Sequence, residues 1–250
     1  MKARNINTLL GPVTWELIEP TEGEFSFREL DQIIVDAHKH GFLLILLWFG
    51  MYKNALSSYA PQWVRRDRER FPRICIRDAE GGLRVTETIQ PYGVEAQQAD
   101  AKVFARLMRH LKEFDGVNNT IIMVQVENEI GVMWDSRDRS ATAEKLIRGE
   151  APLQPLKHLQ SSWDDLHPYF RAKFPNFRHL NTTDGPLTWT EAFGDGEWRD
   201  DIIFMADALS RFVHTVASTG RAEYDIPLYM NLVKMLHRGP RSNSTEITQL

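Results

Sequence analysis

The segment Ile121–Gly131 reads Ile-Ile-Met-Val-Gln-Val-Glu-Asn-Glu-Ile-Gly, and it decides the fold class. A run of apolar, largely β-branched residues stops abruptly at Glu127, Asn128 and Glu129. Near-continuous apolar runs are typical of parallel strands that are covered by helices on both faces. Polar side chains at the end of such a strand are typical of the carboxyl-terminal rim of an α/β barrel. The segment therefore predicts a buried parallel strand that delivers acidic groups to a barrel rim.

Carboxyl groups at such a rim favour glycoside hydrolysis as the chemistry. Retaining hydrolysis uses two carboxyl groups about 5–5.5 Å apart, one protonated and one ionised. Glu129 suits the proton donor, and the alternative for it is a solvated glutamate in a turn. Glu127 points away from its neighbours if the strand continues. We expect it to form either a structural salt bridge or a substrate contact.

Strand and helix patterns alternate along the rest of the chain, which indicates a parallel α/β architecture. Apolar runs predict strands at Asn5–Thr14, Phe42–Phe49, Thr120–Val126 and Ile226–Asn231, with a weaker fifth near Phe177–Asn181. Apolar residues at helical spacing predict helices between Ser26 and Gly41, around 103–111, and at 141–149, 163–174 and 200–218. Ser26 and Glu29 have the spacing of a capping box. The segment Gly50–Glu95 is a long connection between a strand and a helix, a length that is usually functional.

The composition limits the classes of protein to which this chain can belong. The chain has 250 residues and a net charge of −4 with both signs interspersed, so no basic surface for nucleic acid or a membrane is expected. Cys75 is the only cysteine, which excludes an internal disulfide and a multi-cysteine zinc site. No two histidines lie four residues apart. We expect no metal, no organic cofactor, no nucleic-acid partner and no membrane partner. The oligomeric state stays open.

The residues around the rim resemble a known family. Gln125–Gly131 resembles the Gln-Ile-Glu-Asn-Glu-Tyr-Gly signature of glycoside hydrolase family 35, the β-galactosidases of a retaining (β/α)₈ clan, and family 42 carries a related Asn-Glu. Trp15–Phe25 resembles the segment around strand 2 of the same families. Further segments resemble a β-galactosidase-like branch of family 35, namely Lys53–Asn54 with Ser58–Val64, Arg70–Arg73, Arg137–Ser140 and Trp189–Gly194. The resemblance covers roughly residues 1–231.

The resemblance implies roles for two residues at the end of barrel strand 4. Glu129 would be the general acid/base, and Asn128 would hydrogen-bond the sugar 2-hydroxyl. The family nucleophile follows strand 7, and no suitable glutamate follows Asn231 in this chain. We therefore expect an incomplete (β/α)₈ TIM barrel at residues 1–238, without strand 1 and without the last strands including 7 and 8. An unstructured tail is expected at 239–250.

Three further residues are candidates for substrate binding. Trp15 and Glu16 follow a predicted strand and could stack on and hydrogen-bond a sugar, and the alternatives are a core tryptophan and a solvated glutamate. Asn231 ends a strand on the expected catalytic side. Glu19, in contrast, is expected to stabilise the turn before Pro20.

The leading functional hypothesis is a retaining, β-galactosidase-like glycoside hydrolase with a carbohydrate substrate. The alternatives are a non-catalytic carbohydrate-binding or interaction fragment, and an incomplete product without a stable fold. The amino-terminal residues do not open a signal peptide, because no adequate apolar region follows them. The compartment stays open, since secretion would require a start further upstream.

Overall fold

The computed structural model describes residues 5–54, 59–182, 185–197 and 199–231. Its strands within these residues are β1 (Thr8–Thr14), β2 (Leu43–Lys53), β3 (Arg73–Arg77), β4 (Leu83–Ile89), β5 (Ile121–Asn128) and β6 (Leu228–Tyr229). Its centre is a parallel sheet with the strand order β1-β2-β5-β6, and β3 and β4 form a separate antiparallel hairpin. Strands that lie side by side in chain order are typical of an α/β barrel, whereas doubly wound sheets reverse their order.

The four strands predicted from apolar runs are present, and the weaker fifth is not. The backbone at Phe177–His179 forms a 3₁₀ helix instead, and the buried Phe177 side chain packs into an aromatic cluster. β6 is only two residues long. The predicted tail at 239–250 lies outside the described residues.

Helices cover the sheet and continue beyond it. The α-helices of the described residues are α1 (Trp15–Ile18), α2 (Arg28–Lys39), α3 (Gln62–Arg66), α4 (Val94–Asp115), α5 (Ala141–Ile147), α6 (Leu153–Ser161), α7 (Pro168–Lys173), α8 (Trp189–Phe193) and α9 (Asp200–Glu223). No helix within the described ranges is both long and apolar enough to cross a bilayer.

The capping box predicted at Ser26 and Glu29 is wrong. Phe27 is the residue that precedes α2, and no side chain caps the helix there. Ser26 belongs to the preceding turn, because its backbone N–H donates to the carbonyl oxygen of Ile18 over 2.9 Å. The spacing of the two residues fitted the motif, but the chain enters the helix one residue later.

The predicted connection at Gly50–Glu95 contains more regular structure than expected. β2 continues to Lys53, and α3 and the β3–β4 hairpin follow before α4 begins. The hairpin is also joined to the loop after β5, because the N–H of Arg139 donates to the carbonyl of Cys75 over 2.7 Å. The two segments that leave the carboxyl ends of neighbouring strands β2 and β5 are therefore connected.

The core lies between the sheet and the long helices α4 and α9. Gly220 of α9 allows close approach, because a β-carbon there would overlap the ring of Phe104 on α4. A second cluster of buried aromatic side chains joins α6, α8 and the start of α9; its members include Trp163, Phe174, Phe177, Trp189, Phe193 and Phe204. The sheet thus rests on packed helices, and its carboxyl-terminal edge carries the candidate site.

Candidate functional site

The chain turns sharply where β5 ends. Glu127 and Glu129 both have positive φ, at 59° and 48°, on either side of Asn128. Non-glycine residues rarely adopt this left-handed region, and such strain costs about 1–3 kcal/mol for each residue and clusters at functional sites. The backbone strain therefore coincides with the Glu-Asn-Glu stretch that the sequence singled out.

Asn128 is held by two other amide side chains. Its Oδ1 accepts hydrogen bonds from Nε2 of Gln125 over 2.9 Å and from Nδ2 of Asn231 over 3.4 Å. Its carbonyl oxygen accepts from the N–H of Asn54, which follows β2, over 3.0 Å. With the oxygen occupied, the N–H donors of the Asn128 amide group have no partner among the described residues and are left for a ligand.

Glu129 lies beside this group and is tied to it through its backbone. Its N–H donates to Oδ1 of Asn231 over 2.8 Å. The residue is half-buried, and its carboxyl group makes no hydrogen bond or ion pair within the described part of the chain. The structure thus brings together three of the predicted site residues, Asn128, Glu129 and Asn231.

Glu127 lies beneath the rim rather than on it. Its side chain is fully buried, and its oxygens accept from the backbone N–H groups of Met51 over 3.3 Å and Tyr52 over 2.7 Å. Neither expectation for Glu127 matches this geometry: it has no surface for a substrate and no salt bridge with a basic residue of the described ranges. Its neighbour is a second buried acid, Asp100 of α4.

Trp15 and Glu16 do not lie together on an exposed surface that could bind a sugar. Trp15 begins α1 and is fully buried, and its indole N–H donates to Oε2 of Glu19 over 2.8 Å. Glu16 forms a surface ion pair with Arg65 at 3.3 Å. Trp15 matches the alternative stated for it, a core tryptophan, whereas Glu16 is half-buried and ion-paired rather than a solvated glutamate. Glu19 also accepts from the N–H of Gly23, as expected for a turn-stabilising residue.

Some residues that shape the site were missed by sequence reasoning. Asp100 is fully buried on α4 and accepts hydrogen bonds from the indole N–H of Trp48 over 3.1 Å and the N–H of Met51 over 2.9 Å. Its position among the apolar residues of an amphipathic helix was the only signal in the sequence. Gln125 is the first residue of the family-like segment Gln125–Gly131, but no role was predicted for it because it sits inside an apolar strand.

A network of charges fixes the loop that follows Glu129. Asp135 accepts hydrogen bonds from Arg77 of β3 over 2.9 Å and from Arg139 over 2.8 Å. Asp201 of α9 accepts from Arg137 over 2.5 Å and from Arg139 over 2.7 Å. Burial alone would raise the pKa of Asp135, but the hydrogen bonds from the two arginines outweigh it and hold the pKa well below its usual range. The loop is therefore anchored to both the hairpin and α9.

Within the described residues, no group of three or more His, Cys, Asp or Glu side chains could hold a metal ion. The side chains that the structure places at the rim carry carboxyl and amide groups. A free carboxyl group beside an oriented amide, at the carboxyl ends of parallel strands, has the composition of a glycosidase site.

These features place the chain among the α/β-barrel glycoside hydrolases. It belongs to glycoside hydrolase family 42, since the family model described as "Beta-galactosidase" matches residues 1–200 of the 250. The β-galactosidase-like resemblance is confirmed at this level. The assignment to family 35 is not supported, because the matching model is that of the related family 42. No curated protein sequence matches the chain.

Solved structures share the fold. A β-galactosidase from Bacillus circulans sp. alkalophilus is 18% identical, with a TM-score of 0.55 over 89% of this chain and 32% of its own. A β-galactosidase from the Antarctic haloarchaeon Halorubrum lacusprofundi is 15% identical, with a TM-score of 0.58 over 93% of this chain and 33% of its own. A cold-adapted β-galactosidase from Rahnella sp. R3 is 16% identical, with a TM-score of 0.56 over 93% and 32%.

The chain thus spans about a third of the length of these solved relatives. Together with the parallel sheet, the likeness confirms the predicted fold class, an incomplete (β/α)₈ barrel.

Proposed function

We propose that this chain carries the acid/base half of a retaining β-galactosidase-type site that acts on terminal β-galactosides. The observation that carries the proposal is the position of Glu129, which directly follows a central parallel strand. The residue is half-buried, and its carboxyl group has no bonding partner in the described residues. Membership of a family described as β-galactosidases supports the substrate class.

In this mechanism Glu129 first donates a proton and later accepts one. As a carboxylic acid it protonates the glycosidic oxygen while the bond from that oxygen to C1 breaks, and a carboxylate nucleophile forms an ester with C1. As a carboxylate it then takes a proton from the water that attacks C1 and releases the nucleophile. Glu127 is not that nucleophile, because it is buried and its oxygens are bonded to Met51 and Tyr52.

Asn128 supplies a donor to the sugar in this proposal. Its Oδ1 already accepts from Gln125 and Asn231, so its amide N–H groups are the part directed to a ligand. A donor fixed in this way suits the sugar 2-hydroxyl, whose hydrogen bonds strengthen in the transition state.

A second candidate function is carbohydrate binding without turnover. Two observations favour it: the other carboxyl group of the Glu-Asn-Glu stretch is withdrawn from the rim, and the chain spans about a third of its solved relatives. In that case Asn128 and Glu129 hydrogen-bond the sugar, but no glycosyl ester forms.

The test is hydrolysis of a panel of aryl β-glycosides that includes the β-galactoside. The purified chain is compared with Glu129→Gln and with Glu16→Gln, a matched control at a surface ion pair. We expect preferential cleavage of the galactoside, loss in Glu129→Gln, and no change in Glu16→Gln.

Equal turnover in the chain and in Glu129→Gln would contradict the assignment of the acid/base. Absence of turnover from folded protein would reject hydrolysis by this chain. Calorimetric binding of galactose, weakened by Asn128→Ala, would then support the second candidate.

A further inference from the structure

The ladder between β2 and β5 is interrupted directly below the rim. Trp48 is paired with Val126 and Lys53 with Asn128, so residues 49–52 of β2 lie opposite the single residue Glu127 of β5. Such an irregularity leaves backbone groups of the longer strand without their ladder partners. The N–H groups of Met51 and Tyr52 are in this position and are buried, so they require other acceptors.

Two acidic side chains supply these acceptors. The N–H of Met51 donates to Oδ2 of Asp100 over 2.9 Å, and the N–H of Tyr52 donates to Oε2 of Glu127 over 2.7 Å. Oδ1 of Asp100 accepts the indole N–H of Trp48 over 3.1 Å. Carboxyl oxygens from α4 and β5 thus accept the hydrogen bonds that the ladder does not provide.

The two carboxyl groups lie buried beside each other. Neither carboxyl group has an ion pair with a basic side chain of the described residues, and two neighbouring buried charges are too costly to coexist. Burial raises the pKa of Glu127 well above its usual range, and the neighbouring Asp100 raises it further. Burial also raises the pKa of Asp100, but the hydrogen bonds from Glu127, Trp48 and Met51 favour its ionised form. The pKa of Glu127 is raised more than that of Asp100, so Glu127 is the group to which we assign a proton.

Gly50 makes room for the pair. A β-carbon on Gly50 would lie 2.5 Å from Nε1 of Trp48, 2.6 Å from Oε1 of Glu127 and 2.7 Å from Oδ1 of Asp100. Any side chain at this position would therefore separate the acids from each other and from the indole. The local sequence is compatible with the pair only because residue 50 has no side chain.

The pair also determines the backbone from which the rim residues project. Glu127 is the first of the two left-handed residues, and Asn128 and Glu129 follow it directly. Nε2 of Gln125 donates both to the carbonyl oxygen of Glu127 over 2.8 Å and to Oδ1 of Asn128 over 2.9 Å. A displacement of the Glu127 side chain would therefore move the turn that presents the two residues.

We propose that Glu127 and Asp100 are positioning residues for the acid/base site, in which the acid of Glu127 donates to the carboxylate of Asp100. The pair holds residues 49–52, the displaced end of β2, against β5. It also fixes the turn at Asn128 and Glu129. Its effect on catalysis rests on the proposed function, whereas its effect on the turn does not.

The experiment compares Glu127→Gln, Glu127→Ala and Asp100→Asn. The glutamine keeps one donor for Asp100 and one acceptor for Tyr52, so it reproduces the neutral acid. The Asp100→Asn change removes one of the acceptors needed by Trp48 and Met51. If hydrolysis is present, we expect kcat to fall about tenfold to a hundredfold in Glu127→Ala, because small misplacements carry costs of this size. We expect Glu127→Gln to recover most of that loss, and Asp100→Asn to recover less.

A readout independent of activity is carboxyl and amide NMR of the labelled protein. We expect the Glu127 carboxyl carbon to keep its protonated shift at neutral pH, where surface glutamates are ionised. We expect the amide signals of Asn128 and Glu129 to be retained in Glu127→Gln and displaced in Glu127→Ala. Titration of Glu127 together with the surface glutamates, or equal displacement in both variants, would overturn the proposal whether or not the chain hydrolyses galactosides.

Discussion

Oδ1 of Asn231 accepts a 2.8 Å hydrogen bond from the backbone N–H of Glu129, although 102 residues separate the two positions. The bond joins the residues that follow β6 and β5 at the same edge of the sheet. Because β6 is only two residues long, this side-chain bond extends the connection between the strands beyond their ladder.

The first prediction follows from this bond. Asn231→Leu removes the acceptor for the Glu129 N–H and the donor to Asn128, and loss of one such bond costs about 1 kcal/mol. We expect a decrease in kcat/KM on an aryl β-galactoside of about fivefold to tenfold, since about 1.4 kcal/mol corresponds to tenfold. Asn231→Asp keeps the acceptor and should lose less. Equal losses in both variants would show that the acceptor is not the important feature.

The second prediction concerns Gly50. Gly50→Ala places a methyl group within the group of Trp48, Glu127 and Asp100, and we expect it to lower the free energy of unfolding by about 1–3 kcal/mol, as overpacking does. The matched control is Gly11→Ala in β1, where the new β-carbon would lie at an ordinary 3.9 Å from Leu46. Urea denaturation of both variants checks the difference, and similar midpoints would contradict it.

The third prediction concerns pH. Above the ordinary glutamate pKa of about 4.3 the unfolded chain releases the Glu127 proton, whereas the folded chain keeps it because burial raises that pKa. The unfolded state then binds fewer protons, so stability decreases as pH rises, at up to about 1.36 kcal/mol per pH unit for one proton. Glu127→Gln carries no such proton. We expect its stability relative to the unmodified protein to increase as pH rises above about 5.

Thermal or urea unfolding across this pH range checks the third prediction. The signature is a difference between the two proteins that grows with pH. A constant difference would mean that Glu127 has an ordinary pKa in the folded state.

The fourth prediction concerns the loop anchored by Asp135. Asp135→Asn removes one of the two carboxylates that each of Arg77 and Arg139 contacts, since Arg77 also pairs with Glu197 and Arg139 with Asp201. We expect a loss of about 1–3 kcal/mol, the size typical of hydrogen bonds to charged groups. The folded pKa of Asp135 is depressed, so its contribution is present above the ordinary aspartate pKa of about 3.9 and is lost as pH falls below it. The difference between variant and unmodified protein should therefore shrink in acid.

The control for the fourth prediction is Asp225→Asn. Asp225 forms an exposed ion pair with Arg221 at 3.6 Å, and such surface pairs contribute little. Comparable losses in the two aspartate variants would show that the loop network is not especially stabilising.

Local sequence was sufficient where one segment carried its own signal. The apolar run of β5 and its Glu-Asn-Glu ending predicted both the strand and the rim position. Local sequence was insufficient where the type of secondary structure depended on contacts with residues distant in the chain. The segment at Phe177 is one example: its aromatic residues fit a strand equally well, but the packing among Trp163, Phe174 and Phe193 selects a 3₁₀ helix.

The sequence by itself determined that the chain is a parallel α/β protein with acidic and amide groups at the end of a central strand. Such properties depend on residue type and spacing along one segment. The tertiary structure alone decided which of those groups are exposed. Glu127 and Glu129 are two residues apart and chemically identical, yet one is sealed against Asp100 and the other lies at the rim. The difference arises because α4 and the displaced end of β2 surround only Glu127. Asp100 and Met51 lie 27 and 76 residues from Glu127 in the chain, and a local sequence pattern cannot predict contacts over such separations.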